Sequence, residues 1–145
     1  MSKLETPLTR KYWQKIGGTL VEEFPIVSAG IQNGRRAIDG LIIKDGEQEI
    51  RKTGDVNITD KDIILVQTKA KRLGMHLIGQ AYISKLLIEK YYKPKSVTSV
   101  ALCTKGDSVL EELIKEKLQG IEVVVMDTSI SREQFRRIRN NQKRT

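Results

Sequence analysis

"IILVQTKAKRLG", residues 63–74, is the stretch on which the fold turns. It opens with an apolar run, Ile63, Ile64, Leu65 and Val66, and then becomes abruptly basic. Gln67 and Lys69 close the run two positions apart. Residues i and i+2 of a strand project from the same face. The spacing therefore predicts a strand over about 62–70 that ends by aiming an amide and an ammonium at one spot.

Upstream, Thr6-Pro7 predicts a helix start with proline in the first turn. Leu8, Tyr12, Ile16, Leu20 and Phe24 recur every four residues, an amphipathic period that carries the helix to Pro25. Gly17-Gly18 weakens that helix by about 1 kcal/mol per glycine relative to alanine and suggests a close approach to another backbone. A first strand is expected at "RRAIDGLII", residues 35–43, then an Asp45-Gly46 hairpin turn and a strand at "EQEIR", residues 47–51.

Downstream, "GMHLIGQAYISKLLIEKYY", residues 74–92, is apolar nearly all round, which predicts a buried helix closed by Pro94. "SVTSVALC", residues 96–103, reads as a core strand. "SVLE", residues 108–111, has the form of a capping box and opens a helix to about Leu118, which Gly120 stops. "IEVVVM", residues 121–126, is the last strand, and "SREQ", residues 131–134, caps a short basic helix. The order αβββαβαβ predicts an α/β fold, a central mixed sheet flanked by helices.

The 145 residues suit one domain with a sizeable core, and 39% hydrophobic with 30% charged residues is an ordinary globular balance. No run approaches the roughly 20 apolar residues of a membrane span, and the start lacks the apolar core of a signal peptide. A single cysteine, Cys103, excludes an internal disulfide framework and a cysteine-based zinc site, and reads as a small core hydrophobe. A cytoplasmic protein is the expectation. The net charge of +8 is unevenly spread: residues 69–95 carry seven cations against one carboxylate, and residues 129–145 carry six against one. Two basic blocks on a mildly acidic body point to a polyanionic partner. A solvated surface and a plain basic tail are the simpler alternatives.

Asp39 interrupts the apolar "AIDGLII", a charge where the neighbours predict burial. A buried carboxylate is costly unless it is paired or bound to a metal. If the strands form a meander, Asp39, Gln67 and Lys69 converge at one end of the sheet. A carboxylate and an amide oxygen suit a hard divalent cation. A lysine beside them suits the orientation of a water or the charge building on a phosphate.

This pattern resembles the PD-(D/E)XK nucleases, the restriction-endonuclease-like fold, over about residues 6–126. Their hallmark is an acid on one strand of a meander and an acid-x-lysine signature on the next. Asp39 matches the first position, and Gln67-Thr68-Lys69 the second, with glutamine for the acid. Many members place a glutamate on the first helix, a part that falls to Glu22 or Glu23. Nucleases of the RecB type carry a glutamine on the helix after the lysine, matched by Gln80, although their tyrosine four residues on is Ser84 here. His76, Gln80 and Ser84 also form one polar stripe at helical spacing, which would equally satisfy core hydrogen bonds.

The resemblance implies Mg²⁺- or Mn²⁺-dependent hydrolysis of phosphodiester bonds in DNA by a single nuclease-like domain, residues 1–128, followed by a basic tail or short helix, 129–145. It implies Asp39, Gln67, Lys69, Gln80 and Glu23 as catalytic residues, with Asp39, Gln67, Glu22 and Glu23 around the metal. Lys71, Arg72, His76 and Lys85, with Arg136 and Arg137 of the tail, would hold nucleic acid. A homodimer is the implied assembly. Three accounts of Gln67 remain open: a variant that cleaves, a lineage that binds without cleaving, or an engineered inactive protein. An inactive nucleic-acid-binding module and a basic protein-docking subunit are the alternative functions. "GIQNG" and "TKGDS" lack P-loop spacing, and the one histidine and one cysteine have no triad motif around them.

Overall fold

A computed structural model of the chain describes residues 4–52 and 56–127. The expected cap at 131–134 and the tail arginines Arg136 and Arg137 lie outside those residues. The elements run α1 (Glu5–Ile16), β1 (Thr19–Val27), β2 (Arg36–Ile43), β3 (Ile50–Arg51), β4 (Asp62–Thr68), α2 (Met75–Tyr91), β5 (Ser96–Cys103), α3 (Ser108–Lys117) and β6 (Ile121–Val125). They build one six-stranded sheet of order β3-β1-β2-β4-β5-β6.

β4 is central and apolar on both faces because both faces are covered. Ile64 and Val66 pack with Leu8, Tyr12 and Trp13 of α1, while Ile63 and Leu65 pack in a second cluster with Ile88 of α2. Each such side chain removed from water contributes roughly 1.5–3 kcal/mol. β4 pairs antiparallel with β2, Gly40 opposite Val66, and parallel with β5, Gln67 opposite Ala101. The 36–43 and 62–68 segments are thus direct neighbours, as the meander required. Cys103 is buried with Leu77, Ala81 and Ile114 in a third cluster, where burial pushes its thiol pKa up.

The first helix stops at Ile16, short of the Pro25 its periodicity predicts, and Thr19–Val27 is strand β1 instead. Gly17 and Gly18 both take positive φ, 83° and 80°, which ends the helix where L side chains rarely follow. The Trp13 indole N–H then donates to the Gly18 carbonyl at 2.7 Å and clamps the turn. A Cβ on Gly18 would strike the Ile43 carbonyl, so the expected close backbone approach is present. The period-four residues Leu20 and Phe24 are buried in β1 on opposite faces, Leu20 in the α1 cluster and Phe24 in the α2 cluster.

The "EQEIR" segment does not form a hairpin with β2. Asp45-Gly46 does make a turn, with the Gly46 N–H on the Ile43 carbonyl at 3.2 Å. Yet a strand has only two edges, and those of β2 are taken by β1 and β4, so β3 crosses to pair parallel with β1. The meander is consequently β1-β2-β4, and the element order is αββββαβαβ, the expected order with one further strand, β1, added before the others. The cap of α3 is also shifted by one residue: Asp107, not Ser108, accepts from the Leu110 N–H at 3.1 Å, and Glu111 reaches back to the Asp107 N–H at 3.0 Å. Nor is α2 buried all round, since Met75 is 79% and Ile83 51% exposed. Its buried residues form a Leu77–Ala81–Ser84–Ile88 stripe, with Ile78, Tyr82 and Leu87 partly buried beside it.

Candidate active site

Asp39 lies in the middle of β2, at the point where the β2–β4 ladder stops, one residue beyond the Gly40–Val66 pair. Freed from the ladder, its Oδ2 accepts from the backbone N–H of Thr68 at 2.8 Å. Burial raises the Asp39 pKa, partly offset by that bond, and the charges of Glu23 and Glu5 raise it further. The carboxylate is therefore held where its charge is disfavoured.

Lys69 follows the last residue of β4, so strand alternation no longer fixes its direction. Its ammonium is 3.8 Å from a carboxylate oxygen of Glu5 on α1. Gln67 instead reaches α2: its amide nitrogen donates to the Ser84 hydroxyl at 2.8 Å, and its amide oxygen accepts from the Asp39 N–H at 3.4 Å. The amide and the ammonium expected at one spot thus serve opposite faces of the sheet, with Asp39 between them. Gln67 is only 4% exposed, and among the described residues every buried side-chain polar atom has a partner. Its amide is complete without a ligand.

Glu22 and Glu23 are not on the first helix but on β1, because that helix ends at Gly17. Glu22 is held by Arg10 at 2.8 Å. Glu23, with φ 52°, sits in a left-handed kink of the strand, and its charge acts on Asp39. The carboxylate that α1 does bring is Glu5, the one acid of "ETPLTRKYWQKI". It is set in place by Thr9, whose hydroxyl meets the Thr68 hydroxyl at 2.7 Å and donates to the Glu5 carbonyl at 2.9 Å. The sequence reading missed Glu5, although stopping the helix at the glycine pair would have left it as the sole candidate.

Gly40 makes this approach feasible. A Cβ there would stand 3.0 Å from the Thr9 methyl and 3.1 Å from Leu20. His76, Gln80 and Ser84 do share one stripe, and it lines a groove of about 540 Å³ with Gln67, Arg35 and Arg36. Lys71 and Arg72 are exposed at the start of the basic connection. Lys85 is paired with Glu89 and lines a different pocket, beside Lys93 and Lys95. Among the described residues no three His, Cys, Asp or Glu side chains gather as a ready metal cluster, and no helix is long and apolar enough to cross a membrane.

Neither a family model nor a curated protein matches the sequence. Among solved structures, the chain is similar to the crystal structure of a repair endonuclease from Pyrococcus abyssi, with a TM-score of 0.54 and 14% identity over 89% of this chain. The chain spans 48% of that structure's length. The likeness is one of fold: a six-stranded mixed sheet with three flanking helices, the restriction-endonuclease-like fold.

Proposed function

We propose that the chain is a metal-dependent nuclease of the PD-(D/E)XK type, with glutamine in the acid-x-lysine signature, that hydrolyses phosphodiester bonds in DNA. The observation that carries this reading is the gathering of Asp39, Lys69 and Glu5 where β2 and β4 part, within a restriction-endonuclease-like sheet. The description of the structural neighbour as a repair endonuclease supports the same reading.

The donor chemistry fits Mg²⁺ or Mn²⁺. A small hard cation keeps several waters and needs one or two carboxylates, and Asp39 is a carboxylate whose charge is disfavoured by burial and by Glu23 and Glu5. Asp39 and Glu5 would hold the ion, which supplies Lewis-acid stabilisation of a phosphate oxygen when bound. Gln67 does not fit the ligand set, because both ends of its amide are committed to Ser84 and the Asp39 backbone. Its role is to hold β2, β4 and α2 in register around Asp39. Lys69 orients the attacking water and balances charge on the phosphate. Glu23 adds to the negative field, and Gln80 lines the adjoining groove. Lys71, Arg72 and His76 hold backbone phosphates, assisted by Arg136 and Arg137. Lys85 contributes less, since Glu89 already neutralises it.

The test is a panel of labelled DNA and RNA substrates incubated with Mg²⁺ or Mn²⁺, beside the same mixtures in EDTA. DNA cleavage in the metal lanes alone is expected. Inertness on every substrate, with binding retained in EDTA, would instead favour a binding module of the same fold. The self-satisfied Gln67 amide is the observation that speaks for that second reading.

A further inference from the structure

A groove opens on the α2 side of Gln67, and its volume of about 540 Å³ falls within the range of small-ligand pockets. It is not lined by any carboxylate. Arg35 and Arg36 stand exposed at one rim, and no ion pair neutralises either of them among the described residues. His76 and Gln80 add hydrogen-bonding edges from the first turns of α2. Further along the same helix Ile83, which is 51% exposed, and the partly buried Leu87 add apolar lining.

Exposed cations, amide and imidazole edges and apolar carbon in one groove are the features a flipped or unpaired nucleotide requires. The phosphate takes the cations, the base edge takes the amide, and the ring face covers apolar carbon. The groove also adjoins the proposed reaction site. Arg36 begins the strand that carries Asp39, and the Gln67 side chain that lines the groove contacts the Asp39 N–H at 3.4 Å. A paired base is enclosed by its duplex and cannot enter so narrow a space.

We infer that this groove seats one unpaired nucleotide next to the scissile phosphate, its base against Ile83 and Leu87, its edge read by Gln80 and its phosphate held by Arg35 and Arg36. The inference rests on the nuclease reading for its substrate class, but it is tested by binding alone. The whole chain is titrated in EDTA against three fluorescent probes: a single-stranded DNA oligonucleotide, the same strand with abasic residues, and the blunt duplex. Base contacts of this kind change affinity by about tenfold, so the abasic strand and the duplex are each expected to bind about tenfold more weakly than the intact strand. Ile83→Trp, which fills the groove from an exposed position, should erase both differences and leave duplex binding unchanged. The double variant Arg35→Ala/Arg36→Ala should weaken the intact strand more than the duplex.

Equal affinity of the wild type for all three probes, no binding of any, or equal losses on every probe in both variants, would overturn the groove as a nucleotide seat. Cleavage with no base preference would sink the groove and keep the nuclease. A base preference lost in Ile83→Trp, without cleavage, would keep the groove and sink the nuclease.

Discussion

Gln67 stands where the related signature has an acid, and its surroundings explain how the fold accommodates it. A glutamine donates to Ser84 and accepts from the Asp39 N–H without adding charge, whereas a carboxylate would keep the Ser84 contact only with that hydroxyl turned to donate, and would bury a charge. Gln67→Glu would place a second charge at a buried position beside an Asp39 whose pKa is already raised by burial and by Glu23 and Glu5. Without metal, this variant is expected to lose about 1–3 kcal/mol of stability. With Mg²⁺ the loss should be recovered, and cleavage should rise above the wild type. Urea melts with and without Mg²⁺, read beside a cleavage assay, check both parts; unchanged stability in EDTA would show that the amide bridge is of no consequence. Asp39 and Lys69 were legible as residues because a charge inside an apolar strand and a polar pair at its end are visible in one line of sequence. The divergence of Gln67 from Lys69 was not, because it depends on where β4 ends, a boundary that periodicity leaves open by several residues.

The element that sets the site is α1, and its seating depends on Gly40. With Thr9 and Leu20 at 3.0 and 3.1 Å from any Cβ there, Gly40→Ala requires these side chains to give by a few tenths of an ångström, and a shift taken up by Thr9 would move α1 and carry Glu5 from Lys69. The expected loss is about 1–3 kcal/mol of stability, with cleavage reduced about tenfold. Gly79→Ala is the contrasting substitution. It lies inside α2 with open space at its Cβ and ordinary helical φ, so it should gain about 0.5–1 kcal/mol. Thermal melts of the two variants side by side measure the contrast, and a stable Gly40→Ala with full activity would contradict this account of α1. The sequence made β5, α3 and β6 readable because punctuation bounds them: Pro94 before β5, the Ser108–Glu111 box at the start of α3 and Gly120 between α3 and β6. It misled over residues 19–27, where Leu20 and Phe24 continue the helical period by coincidence. There the paired positive φ of Gly17 and Gly18, not the period, decided the structure.

Across the whole molecule, the acids of the candidate site are complemented by exposed cations that follow Lys69 closely in sequence. The acids Glu5, Glu23 and Asp39 share one electrostatic neighbourhood, while the exposed Lys71 and Arg72 follow β4 immediately. Binding to DNA should therefore weaken with salt, log affinity falling by about 0.9 per phosphate neutralised for each tenfold rise in salt. Lys71→Glu/Arg72→Glu should reduce affinity across all sequences alike and flatten that slope, because phosphate contacts carry no base information. Anisotropy titrations over a series of salt concentrations give both quantities, and an unchanged slope would remove these two residues from the interface.

The reaction itself is separable from this general attraction. Asp39→Asn removes the carboxylate yet keeps an acceptor for the Thr68 N–H, and Lys69→Ala removes one cation among many. The most direct measurement is the rate of Mg²⁺-dependent DNA cleavage by the wild type and these two variants, with binding of the same DNA determined in EDTA. Cleavage by the wild type, at least about a hundredfold loss in each variant and affinities within about threefold of one another are the predicted result. Equal cleavage by all three proteins, or a wild type that neither cuts DNA nor is stabilised by Mg²⁺, would contradict it.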